Sequence, residues 1–199
     1  MSTRKTHKRN ARSNTVHALS LPDQRSLKPN IRLIFDKCLE KLGFVPNVLR
    51  SYTIRPDKFD YFQAYNKELM VGKSGLSRLE REMIAVVVST ANHCHYCIIA
   101  HGAMVRVMSG NAMLGDQLSS NYKSADLPAK QVAMLNFVWK LTKMPAEMTK
   151  NDRALLQKAG FSDEDIFDIA EVAGFYNSTN RLASAIEAKP NPEYFKMGR

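Results

Sequence analysis

The apolar positions of the chain fall mainly into helical periods. Ile31, Ile34, Phe35, Cys38, Leu39 and Leu42 stand at i, i+3, i+4, i+7, i+8 and i+11, one stripe of an amphipathic helix that Gly43 stops. Cys38 lies on that stripe and reads as a packed core thiol. Phe44-Val45-Pro46-Asn47 is a turn, with a short helix after it. Pro56-Asp57-Lys58 opens a further helix carrying Phe59, Phe62, Tyr65, Leu69 and Met70, broken over residues 72–75. The run Met83-Ile84-Ala85-Val86-Val87-Val88 is ambiguous, because β-branched residues favour strand. Ser77-x-x-Glu80 just before it is a capping box, and together with the charged run Arg78, Glu80, Arg81 and Glu82 it decides for helix. Ala91-Asn92 then reads as a turn, and the helix after it runs to Ser109-Gly110.

Residues 111–124 are small and polar, a short helix and a loop. Asp126-Leu127-Pro128 starts a helix through Val132, Leu135, Phe137, Val138, Trp139 and Leu141 that ends before Pro145. Thr149-x-x-Asp152 caps the next, which stops at Gly160. Ser162-Asp163-Glu164-Asp165 caps the last long helix and sets three acids at its positive end, with an expected run to Ile186. The segment after Pro190 is expected to be loose. With no alternating strand pattern and no internal repeat, the fold class is all-α.

Length and composition narrow the class. A chain of 199 residues with 44% hydrophobic content is enough for one domain with a full core. No apolar run approaches the roughly 20 residues of a membrane-spanning helix, so no membrane is expected. Three cysteines, an odd and low number, do not suggest a secreted disulfide framework. No apolar segment follows the basic N-terminus as it would in a signal peptide. The cytoplasm is the default location.

The net charge of +10 raises nucleic acid as a partner, but Arg4, Lys5, Lys8, Arg9 and Arg12 all precede the first acid, Asp23. Residues 1–22 are therefore expected to form a basic, solvated, disordered arm, and 23–199 a single domain. A targeting segment or a nucleic-acid arm are the sharper readings of the arm. No nucleic-acid-binding motif and no aromatic–basic interleaving support the second.

The candidate chemistry is Cys94-His95-Tyr96-Cys97, followed by His101. At 100° per residue, Cys97 and His101 lie at about 300° and about 340° from Cys94, so all three share one helix face. His101 is i+4 from Cys97, where an imidazole can take a thiol proton. If the chain reverses around Ala91-Asn92, Glu82 stands about as far before the turn as His101 does after it and can orient the ring. A thiolate at a helix start is favoured by unpaired N–H groups and by a neighbouring imidazolium. Nucleophile, base and orienter are then all present. His93 and His95 point to other faces and read as surface groups, and Tyr96 can pack or hydrogen-bond.

At these residues the sequence resembles the carboxymuconolactone decarboxylase-like superfamily, in its alkyl hydroperoxidase D-like, peroxidase-related branch. The likeness is carried by Gly43-Phe44-Val45-Pro46-Asn47, by Gly75-Leu76-Ser77 with Glu80-Arg81-Glu82-Met83-Ile84-Ala85, by residues 89–101, and by Phe175-Tyr176-Asn177 with Asn180-Arg181-Leu182-Ala183. It spans about residues 20–190, and Glu…CxxCxxxH is its most specific element. The resemblance implies an all-α bundle whose central helical hairpin carries the CxxC, and an obligate oligomer, usually a trimer or hexamer. It implies a peroxidase in which Cys97 is the peroxidatic thiol, Cys94 the resolving thiol, His101 the base and Glu82 part of the proton relay. Tyr96 stands where the best-studied hydroperoxidases have histidine, as is common in the peroxidase-related branch. Members without the cysteines decarboxylate a lactone acid, and the CxxC argues against that here.

The function expected is therefore reduction of hydrogen peroxide or organic hydroperoxides through a dithiol cycle, with a low-pKa Cys97, a thiol reductant as partner and no cofactor. A disulfide reductase uses the same dithiol on another electrophile. A zinc module with Cys94, Cys97, His101 and Glu82 as ligands is a third reading, though structural zinc sites seldom use carboxylate.

Overall fold

The computed structural model describes residues 16–199. Among them lie nine α-helices: α1 (Pro29–Leu42), α2 (Asn47–Tyr52), α3 (Pro56–Val71), α4 (Arg78–Ala91), α5 (His95–Ser109), α6 (Leu114–Asn121), α7 (Ala129–Lys143), α8 (Lys150–Lys158) and α9 (Asp163–Ala185). The chain is all-α as expected.

The axis of the bundle is α4. Its ambiguous β-branched run is helical, and residues 83–88 are fully buried. The capping box holds its start: Ser77 Oγ accepts from the Glu80 N–H at 3.2 Å, and Glu80 Oε2 accepts from the Ser77 N–H at 2.8 Å. Arg81, buried on the same helix, donates to the carbonyls of Leu69, Gly72 and Leu76 at 3.1, 2.8 and 3.1 Å. The first two are carbonyls that the end of α3 leaves without helical partners, and the third lies in the loop before α4. A helix apolar all round must be buried, and α5, α6, α7 and α9 enclose α4.

The reversal into α5 is tight. Asn92 caps α4, His93 takes a left-handed conformation (φ 54°), and Cys94 is the N-cap of α5. The two helices form the predicted central hairpin. On the far side of α5, Gly115 of α6 meets Gly102, and a Cβ on Gly115 would run into the Gly102 backbone.

Two expectations about the periphery need correction. On α1, Ile31 and Phe35 are buried, but Leu39 and Leu42 at the end of the stripe are 51% and 42% exposed, because no described element covers them. The segment after Pro190 is not loose: it forms a 3₁₀ turn, Pro192–Phe195, in which Tyr194 is buried. Of the arm expected over 1–22, residues 1–15 lie outside the described residues. Residues 16–18 are bound to the end of α9, with the Ala18 N–H donating to Ile186 O at 2.8 Å and the Lys189 N–H to Val16 O at 2.9 Å. No described helix is long and apolar enough to cross a membrane.

Candidate active site

The hairpin brings together the four residues singled out in the sequence. Cys94 and Cys97 are 1% and 4% exposed and share an apolar cluster with Phe44, Tyr96, Ala100, Ala103 and Tyr194. One turn further along α5, His101 Nδ1 lies 2.6 Å from Glu82 Oε2 of α4. A carboxylate only accepts, so this contact keeps the ring proton on Nδ1 and leaves Nε2 to exchange protons. The edge of one ring against the face of the other, 4.5 Å between centroids, packs His101 against Tyr176 of α9.

The two thiols are unequal. The Cys94 pKa is lowered to about 6, first by the hydrogen bond from the Cys97 thiol, against the opposing effect of burial. The Cys97 N–H, the Ser184 side chain and the charge of His101 assist. As N-cap, Cys94 holds the place where a serine hydroxyl would meet the N–H three residues on, although it closes no formal cap hydrogen bond. The Cys97 thiol is pushed well above its usual range, first by sharing its proton with Cys94 and then by burial, with contacts to Asn180 and Ser89 acting against both. The expectation of a low-pKa Cys97 is thus corrected: in the resting dithiol the charge sits on Cys94, the sulfur at the helix start.

A cavity of about 210 Å³ opens onto Cys97. Cys97 and His101 form part of its wall with Tyr96, Tyr176, Tyr194 and Phe62, while Cys94 does not reach it. A small apolar molecule in the cavity meets Cys97 and His101 first.

Beneath the thiols runs a polar chain. Asn180 Nδ2 donates to Ser89 Oγ at 3.0 Å, and Asn92 Nδ2 reaches Asn180 Oδ1 and Asn177 Oδ1 at 3.0 and 2.9 Å. It fixes the amide that faces Cys97. The sequence reading assigned no role to Ser89, Asn180, Ser184 or Tyr194. The signal available was the i, i+3 pair Asn177 and Asn180 on a helix that is otherwise apolar on that side. Tyr96 packs and accepts a hydrogen bond from the Val48 N–H at 2.9 Å, while His93 and His95 are exposed. Among the described residues no group of three or more His, Cys, Asp or Glu side chains converges as metal ligands.

An all-α bundle with a buried CxxC and a Glu–His pair on its central hairpin defines a class of dithiol-bearing helical proteins. The sequence profile of the carboxymuconolactone decarboxylase family matches residues 56–112, the segment holding α3, α4 and α5. A peroxidase-related protein of uncharacterised function from Silicibacter sp. TM1040 is 48% identical, with a TM-score of 0.91 over 95% of this chain and 99% of its own. A second, from Ralstonia eutropha JMP134 and described as an alkylhydroperoxidase AhpD core, is 41% identical, with a TM-score of 0.90 over 94% and 98%. The debrominase Bmp8, solved with 2,3,4-tribromopyrrole, shares the fold at 21% identity, with a TM-score of 0.77 over 92% and 97%. No curated protein matches the chain. The chain belongs to the carboxymuconolactone decarboxylase-like superfamily, in its alkyl hydroperoxidase D-like, peroxidase-related branch.

Proposed function

We propose that the protein is a thiol peroxidase that reduces small organic hydroperoxides or hydrogen peroxide through the Cys94/Cys97 dithiol. The observation that carries this reading is the placement of Cys97 and His101 on one cavity wall, with Glu82 holding the ring at 2.6 Å and a thiolate on the adjoining Cys94.

The proton between the sulfurs decides which of them is charged. When it passes to Cys94, Cys97 faces the cavity as a thiolate and attacks the terminal oxygen of the hydroperoxide. The sulfur–oxygen bond forms, the oxygen–oxygen bond breaks, and the electron pair leaves on the alkoxide. His101 supplies a proton, so that the products are an alcohol and Cys97 sulfenic acid. Cys94 then gives its proton to His101 and attacks the sulfenic sulfur. The disulfide closes, and the expelled hydroxide takes that proton back and leaves as water. A thiol partner, protein or small molecule, restores the dithiol.

The burial of both sulfurs favours a small electrophile over a protein disulfide. The apolar wall also suits a halogenated ring, the kind of molecule Bmp8 binds, whose reductive dehalogenation would consume the same dithiol. We further place the protein in the cytoplasm as a homo-oligomer, a trimer or hexamer, in keeping with its free cysteines and the exposed leucines of α1.

The test is mass spectrometry of the reduced protein after stoichiometric cumene hydroperoxide, beside a Cys97→Ser variant. Loss of two hydrogens mapped to Cys94–Cys97, absent in the variant, is the expected result, followed by turnover with a thiol reductant. Thiols that stay reduced with peroxide but are oxidised by a low-molecular-weight disulfide or by 2,3,4-tribromopyrrole would replace the reading.

A further inference from the structure

We propose that Tyr194, on the docked C-terminal segment, is a catalytic residue that donates a hydrogen bond to the oxygen leaving from the hydroperoxide. The inference rests on the peroxidase reading above.

The segment is held from two sides. Buried Arg106 of α5 donates to the carbonyls of Met197 and Tyr194 at 2.9 and 2.7 Å. The buried Asn191 side chain accepts from the Asn47 N–H at 2.7 Å and donates to Val45 O at 3.0 Å. Arg199 adds an ion pair to Asp116 at 2.9 Å. Pinned in this way, the 3₁₀ turn holds one side chain in a fixed place against α5. That side chain is Tyr194, 7% exposed, its ring set edge-on to Phe44 at 5.1 Å and packed in the cluster that holds both cysteines.

Position supplies the second argument. The Val48 N–H can only donate, so it holds the Tyr96 hydroxyl by one lone pair. That hydroxyl interacts with the hydroxyl of Tyr194. Tyr194 in turn shares the cavity wall with Cys97 and His101, so a hydroperoxide bound against Cys97 lies on the wall that carries it.

The chemistry requires such a donor. In the displacement the sulfur, the attacked oxygen and the leaving oxygen stand in line, so the leaving oxygen develops its charge away from Cys97. A preorganised donor at developing charge in a dry cavity contributes about 10²–10³ in rate. Burial holds Tyr194 above its usual pKa, so it stays neutral and remains a donor. It lends a hydrogen bond and does not part with its proton. The proton that completes the alcohol comes from His101.

The experiment compares wild-type protein with Tyr194→Phe, which keeps the ring and removes the hydroxyl. We expect the second-order rate constant for oxidation by cumene hydroperoxide to fall roughly 10²-fold. Alkylation by iodoacetamide, which has no leaving oxygen, should be unchanged. Across hydroperoxides with leaving alcohols of different acidity, the variant's rate should depend more steeply on that acidity. An unchanged peroxide rate would overturn the proposal. So would a parallel loss of alkylation, which would mark a packing role. Wild-type protein that no hydroperoxide oxidises would overturn the peroxidase reading, and this proposal with it.

Discussion

At Cys94 the first proton leaves near pH 6, and the hydrogen bond from Cys97 is the largest cause. Cys97→Ala removes that donor, so the midpoint should rise toward the ordinary thiol range when followed by thiolate ultraviolet absorbance. A midpoint still near 6 would mean that Ser184, His101 and the helix start suffice. Glu82→Gln keeps the reach to His101 but puts a neutral amide where the carboxylate holds the ring. It should slow oxidation by cumene hydroperoxide about 10²-fold. An unaffected rate would remove Glu82 from the relay. Glu82, Cys94, Cys97 and His101 were legible in the sequence because two helices joined by a tight turn have a fixed register. Ser184, Asn180 and Tyr194 were not, since their positions depend on how α9 and the last turn pack against α5. The sequence also could not apportion charge between two sulfurs that share one helix face. That depends on which sulfur receives the other's proton.

The elements obey the same division. Propensity alone would have made a strand of residues 83–88, and the capping box corrected it because a cap is a local signal. What no local signal reveals is how closely α5 and α6 approach. A methyl group on Gly115 would meet the Gly102 backbone, whereas one on Gly102 would find only ordinary contacts at 3.8 and 3.9 Å. Gly115→Ala should therefore destabilise the protein by about 1–3 kcal/mol in urea unfolding. Gly102→Ala should be close to neutral. Equal costs for the two substitutions would refute the close approach. Because α5 carries Cys97 and His101, Gly115→Ala should also slow peroxide oxidation.

Across the whole molecule, the dithiol links redox state to pH. The fold holds Cys94 below its ordinary value, so between about pH 6 and that value the unfolded reduced chain binds more protons than the folded one. Stability of the reduced form should rise with pH through this window and be lost as pH falls through 6. Cys97 acts with the opposite sign, and only above the ordinary thiol range. The disulfide form has no thiol at either position to titrate, so urea unfolding over a pH series should show the rise in the reduced protein alone. Equal slopes for the two forms would contradict the assignment. At this scale the sequence was least informative. The stripe on α1 implied burial of Leu39 and Leu42, and the composition after Pro190 implied a loose end. Both depend on what the rest of the chain covers.

The acidity of Cys94 is assembled from Cys97 and His101 nearby and from Ser184 at the far end of α9. A nascent chain that has made α5 but not yet α9 therefore already carries the largest cause of that acidity and lacks the burial that opposes it. The cavity comes later, because Phe175, Tyr176 and Tyr194 in its wall belong to α9 and the last turn. A brief pulse of alkylating reagent would then label incomplete molecules ahead of finished ones, whose sulfurs are buried, making the active site a clock for its own folding.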